Sequence, residues 1–183
     1  MAAPVYYTAE MVRGLSDENR KWPRYETVHG ELLVTPAPRP WHERVGIRLG
    51  VALAHYLERE PIGEVFFSRS DISWGHDILV EPDLFVVARE EARTLDWSRM
   101  KTLLLVVETL SPSSVRSDRF AKRRLYQEVG VSLYWIIDAD AQLVEIWTPE
   151  VLFPSLERQE LFWHPQGASI PFNIRLKELF RPI

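Results

Sequence analysis

The chain has 183 residues, 46% of them hydrophobic and 26% charged, and it contains no cysteine. That length suits a single domain with a real core, and the missing thiols exclude a disulfide framework and any cysteine-ligated zinc site. The net charge of −4 counts against nucleic-acid binding by the surface at large, because backbone binders carry a basic excess.

Charge is uneven along the chain, however. Arg116, Arg119, Lys122, Arg123 and Arg124 crowd one stretch, while acids gather between Asp77 and Asp96. The opening MAAPVYYTAEMVRG lacks the charged start and apolar run of a secretory leader. The longest apolar run, Leu103 to Val107, falls far short of the roughly 20 residues a membrane helix needs. A soluble, cytoplasmic protein with no membrane partner is the expectation.

In chain order, residues 8–20 carry weak helical signals, with Thr8 and Ser16 as candidate N-caps. Trp22, Pro23 and Tyr25 mark a break. TVHGELLV places Gly30 between two extended pieces and predicts a short hairpin or strand. TPAPRP is a stiff proline-rich connector. From His42 to Arg59 the apolar residues Val45, Leu49, Ala52, Leu53 and Tyr56 share one helical face, and Pro61 and Gly63 stop the helix.

Three extended candidates follow: EVFFSRSDISW, ILVEPDLFVV and TLLLVVETL. The last is apolar almost throughout and reads as a strand buried on both faces. Ser111-Pro112-Ser113-Ser114 is a turn signal. Residues 117–129 are helical in pattern, with Phe120, Ala121, Leu125 and Val129 as the apolar stripe and Gly130 placed for a C-cap. LYWIID is a buried strand, QLVEIWT its alternating partner across the DADA turn, and LKELFRPI a short terminal helix. The fold class predicted is α/β, an α+β mixed sheet with helix, three strands, helix and further strands. One domain is expected over 1–183: an N-terminal helical and hairpin extension (1–40), a core (42–148) and a strand and helix tail (149–183).

The chemistry-bearing residues are Asp83, Glu108 and Lys122. Glu81 and Asp83 share a face of their segment, with Pro82 pinning a bulge or edge. Glu108 interrupts an otherwise apolar strand near its end, where a charge is costly unless paired or metal-bound. Two carboxylates and an amine on rigid elements are the minimum for metal-assisted phosphodiester hydrolysis. The acids would hold Mg²⁺ or Mn²⁺ through oxygen, and the amine would face the attacking water or the charge developing on phosphate. Structural acids paired with arginines are the competing reading of Asp83 and Glu108. Asp118 and Tyr126 lie four residues either side of Lys122 on one face, so Asp118–Lys122 could also be an ordinary exposed ion pair. The histidines show no metal-ligand spacing, and Ser111 and Ser113 lack a nucleophile elbow. Of the tryptophans, 135 and 147 are expected in the core or a dimer contact, and 41 and 74 are buried or stack on bases.

The run PDLFVV, VVETLSPSS, then an aspartate, a lysine and a tyrosine, then GVSLYWIID resembles the Uma-type family of restriction endonuclease-like proteins, a branch of the PD-(D/E)XK nuclease superfamily. The likeness covers most of the chain, including GELL, the proline-rich connector and the helix after it. It implies a restriction endonuclease-like fold and a Mg²⁺- or Mn²⁺-dependent endodeoxyribonuclease acting on DNA; cutting both strands needs two sites, so a homodimer is the expectation. In the superfamily pattern the lysine sits two residues after the acid; here that position is Leu110, and Lys122 matches the family's lysine on the next helix. The resemblance also implies an acid from the first helix, a place His42 or Glu43 could fill, although Glu43 equally suits a helix first turn. Glu31 is a further candidate, and Asp118 and Tyr126 would orient Lys122. The alternatives are a catalytically silent nucleic-acid or protein-binding module on the same fold, and a purely structural protein.

Overall fold

A computed structural model describes residues 5–15 and 22–182. A short helix, α1 (Ala9–Leu15), precedes the hairpin β1 (Arg24–Val28) and β2 (Glu31–Thr35). The two-residue loop His29-Gly30 has φ of 51° and 79°, the left-handed pair that a tight hairpin matched to strand twist requires. Gly30 is needed twice over, since a Cβ there would sit 2.3 Å from the Tyr6 ring. The expected Ser16 cap lies outside the described residues.

Next come α2 (Pro40–Arg59), β3 (Gly63–Phe67), β4 (Ile72–Ser73), β5 (Leu79–Val80), β6 (Leu84–Ala88), the short α3 (Arg89–Ala92) and β7 (Leu103–Thr109). Pro40 opens α2, where a missing N–H costs nothing. Its stripe Val45, Leu49, Leu53 and Tyr56 is fully buried, as the periodicity predicted, while Ala52 is only partly so. A π-helical segment, Ser117–Lys122, runs directly into α4 (Arg123–Glu128). Gly130, at φ 76°, closes α4: Val131 N–H reaches Tyr126 C=O at 2.9 Å and Gly130 N–H reaches Gln127 C=O at 3.3 Å, a Schellman ending. The chain finishes with β8 (Tyr134–Asp138), β9 (Leu143–Trp147), β10 (Ser155–Glu157), β11 (Glu160–Trp163), β12 (Phe172–Arg175) and α5 (Leu176–Leu179).

A six-stranded sheet in the order β10-β9-β8-β7-β6-β3 forms the centre, antiparallel except for the parallel β7–β8 pair. The π segment and α4 make the crossover between those two strands. On one face α2 and the β11–β12 hairpin bury Leu84, Val86, Leu105, Val107 and Trp135. On the other, α4 and a small sheet of order β2-β1-β5-β4 bury Phe85, Val87, Val106 and Ile136. Trp135 and Trp147 are core residues, whereas Trp41 and Trp74 are half-buried.

Three sequence expectations are corrected. EVFFSRSDISW is not one extended segment, because β3 belongs to the large sheet and β4 to the small one. ILVEPDLFVV is not one strand: β5 belongs to the small sheet and β6 to the large one, and residues 81–83 make the passage between them. Pro82, which cannot donate to a ladder, sits at that break. Residues 117–129 are not a uniform α-helix either. The wider π turn shifts the facing, so Phe120 is 64% exposed and the inward positions are Asp118, Lys122, Leu125 and Tyr126. The apolar stripe drawn at α-helical spacing therefore runs partly outward.

Candidate active site

Ladder register brings the two acids together. Leu84 pairs with Val107, so Asp83 and Glu108 occupy the next step, at the end of β7. The Asp83 N–H points at Glu108 Oε2, 3.4 Å away, and the Thr109 N–H donates to Asp83 Oδ2 at 2.8 Å. Sequence separation of 25 residues is thus reduced to side-by-side carboxylates by strand pairing alone.

Lys122 completes the group. Its side chain is 2% exposed, and Nζ lies 2.9 Å from Glu108 Oε1, 2.9 Å from Glu26 Oε1 and 3.9 Å from Asp118 Oδ1. The exposed Asp118–Lys122 ion pair considered above is ruled out, since both side chains are buried. A buried ammonium is tolerable only when its charge is balanced and its donors find partners; Glu108 and Glu26 lie at hydrogen-bonding distance, and Asp118, at 3.9 Å, adds charge without a hydrogen bond. The Tyr126 hydroxyl donates to Glu108 Oε1 at 3.2 Å, so it fixes the acid rather than the amine. Tyr134 donates to the Asp118 carbonyl at 3.1 Å and holds the π segment to the sheet.

Two residues that sequence reasoning missed belong here. Glu26, fully buried on β1, pairs with Lys122 and accepts the Glu81 N–H at 2.8 Å. Arg24, on the same strand face, pairs with Asp83 at 2.9 Å and donates to Ser68 Oγ and to the Glu81 carbonyl, each at 2.9 Å. Arg24 and Glu26 alternate along RYETV as charges on the outer face of a solvated hairpin would, so nothing local distinguished them. Exchanging Arg24 for methionine leaves Asp83 without its cation in a half-buried place; unfolding in urea is expected to show a loss of about 3 kcal/mol.

The floor of the site is rich in acid. Glu26, Glu81, Asp83, Glu108 and Asp118 face two buried cations, Arg24 and Lys122. Burial pushes the Glu108 carboxyl up to about 8, with Lys122 offsetting only part of the effect, and burial likewise raises Asp118 to about 6. Glu81 is raised by burial and then by neighbouring Glu26. Burial by itself would lower the Lys122 amine, but Glu108, Glu26 and Asp118 outweigh it and raise it, so the ammonium stays charged. One lysine shared among three acids cannot neutralise each of them, which is why Glu108 moves upward despite a 2.9 Å contact.

An open cleft of about 620 Å³ leads to these groups and is lined by Asp83, Glu108, Asp118 and Lys122, together with Arg69 and Trp22. His42 and Glu43 reach it from the first turn of α2. His42 is buried 2.7 Å from the Arg39 guanidinium, and burial followed by that positive neighbour holds its pKa below the usual value. Glu43 is solvent-exposed at the rim. Glu31 is not brought to this cleft; it lines a separate one beside Arg116. Among the described residues no three histidine or carboxylate side chains converge as a ready metal cage. Asp83 and Glu108 remain an all-oxygen pair in an acid excess, and among the described residues Glu108 Oε2 has only one long N–H contact. That donor set fits a hard divalent cation, which binds through one or two carboxylates and keeps several waters.

The comparisons agree with the fold. Solved structures that match include "Crystal structure of a putative nuclease belonging to DUF820 from Anabaena variabilis ATCC 29413", at 20% identity and a TM-score of 0.73, covering 95% of this chain and 97% of that one. At that identity the likeness establishes the fold. Curated proteins give no match. Among the described residues no helix is long and apolar enough to cross a membrane. The Uma2 family model, described as "Putative restriction endonuclease", matches residues 10–173, nearly the whole chain, and the protein therefore belongs to that family.

Proposed function

We propose that the protein is a metal-dependent endonuclease that hydrolyses DNA phosphodiester bonds. The observation that carries this reading is the 2.9 Å contact between Lys122 Nζ and Glu108 in a cleft that also holds Asp83. An amine from the π segment thereby reaches the strand acid that, in the wider superfamily, has its lysine two residues along the same strand.

In this reading Asp83 and Glu108 hold Mg²⁺ or Mn²⁺, which supplies Lewis-acid polarisation of the phosphoryl oxygen and a bound water of lowered pKa. The Lys122 N–H left over by Glu108 and Glu26 donates toward the attacking water or the charge growing on phosphate. Glu26 and Asp118 keep the amine protonated and aimed, and Tyr126 fixes the Glu108 carboxylate. Arg24 restrains Asp83. Cutting both strands of a duplex would pair two such sites about a two-fold axis, which makes a homodimer the working assembly.

One observation favours a second reading, a silent nucleic-acid-binding module. Asp83 is already engaged at both oxygens, by Arg24 and by the Thr109 N–H. Nicking of supercoiled plasmid and of single-stranded DNA in Mn²⁺ or Mg²⁺ separates the two. The endonuclease reading expects wild-type cleavage that EDTA stops and that Asp83→Asn lowers at least about 100-fold, the effect of losing several kcal/mol of metal-borne stabilisation. Equal nicking by wild type and Asp83→Asn would reject it.

A further inference from the structure

A second cleft, of about 470 Å³, adjoins the catalytic one. The 111–118 segment forms the wall between them: Ser111, Ser114 and Asp118 line the catalytic side, and Ser113 and Ser117 line the other. The opposite wall is β2. One helical segment therefore separates the second cleft from the catalytic one.

The cations of this stretch divide into two sets. Lys122 is committed to the buried acids, Arg119 pairs with Glu145, and Arg123 bonds Gln127 at 2.8 Å and covers the Trp147 ring at 4.8 Å. Arg116 and Arg124 are exposed and, among the described residues, make no ion pair or hydrogen bond. Between them stands Phe120, 64% exposed. Arg116, Phe120 and Arg124 all line the second cleft, so cation, ring and cation form one ridge along it.

We infer that this ridge binds a single-stranded nucleic acid, with Arg116 and Arg124 on backbone phosphates and an unpaired base stacked on Phe120. Stacking on an aromatic beside a cationic track is how unpaired strands are held without sequence readout. A duplex offers no such face, because its bases are already stacked on one another. Glu31, on the facing wall, repels phosphate and confines the strand to the arginine side. The choice of nucleic acid over an acidic peptide rests on the proposed function; the ridge itself does not.

The test is fluorescence polarisation of a labelled oligothymidylate of about 15 nucleotides, using the full-length protein in EDTA so that no cleavage intervenes. Arg116→Ala/Arg124→Ala is expected to weaken binding at least tenfold and to flatten the dependence of log affinity on log salt by about 1.4, roughly 0.7 per lost phosphate contact. Phe120→Ala should cost at least about fivefold, the lower end for one stacked base. Glu31→Gln should tighten binding, and Arg93→Ala, at an exposed site elsewhere, should leave it unchanged. The inference is overturned if wild type does not bind the oligonucleotide, if the double variant binds normally, or if Arg93→Ala is equally harmful. It is likewise overturned if a duplex of the same length loses as much as the single strand on Phe120→Ala. Because these arms need no catalysis, their failure leaves Asp83-dependent nicking standing, and failed nicking leaves them readable.

Discussion

Exchanging Lys122 for methionine should cost about 3–5 kcal/mol of stability near neutral pH, the range found when one partner of a buried ion pair is removed. Methionine nearly fills the same volume, so the loss is electrostatic: Glu26, Glu108 and Asp118 are left buried with their nearest cation gone. The penalty has a sign in pH. Glu108 and Asp118 already have folded pKa values above their unfolded ones, about 8 and about 6. A group raised in the fold favours the native state below its unfolded pKa, and that contribution is lost as pH climbs through the folded value. Removing the ammonium raises these carboxyls further, so the variant's native state takes up more protons between pH 6 and 8. Urea unfolding of both proteins should therefore show the gap widening from pH 6 to pH 8. A constant gap would mean that Lys122 contributes packing and not charge.

Glu108→Gln is expected to separate chemistry from stability. Glutamine resembles the protonated acid that burial already favours, and it can still accept from Lys122 and Tyr126 through its carbonyl oxygen. At pH 8 the variant should be at least as stable as wild type, with its relative advantage growing from pH 5 to pH 8 as wild-type Glu108 is forced to ionise. Metal-dependent nicking should nevertheless fall by about 100- to 1000-fold, since one of two oxygen ligands loses its charge. Calorimetric titration with Mn²⁺ should show the matching loss of affinity. A variant that cuts as well as wild type would remove Glu108 from the metal. One that is less stable at pH 8 than at pH 5, relative to wild type, would mean that Glu108 is carried as a plain carboxylate partner of Lys122.

The protein's sequence determined its elements and its chemical kit. The α2 stripe, the two-sided burial of β7, the His29-Gly30 hairpin and the Gly130 cap follow from periodicity and from residues whose backbone preferences are local. Glu108 stood out because a charge inside an apolar strand is expensive without a partner. Local patterning could not show which residues cross over to meet it. Arg24 and Glu26 look like the wet side of a hairpin until the small sheet folds onto the large one and seals them against Lys122. Phe120 lost its expected inward facing because the π turn shifts helical phase, and Lys122 is tolerable as a buried charge only where three separate elements deliver its counter-charges. Helix and strand type are set by short-range sterics and hydrophobic rhythm. The balance of buried charge is a sum over the whole molecule, so only the tertiary structure decided it.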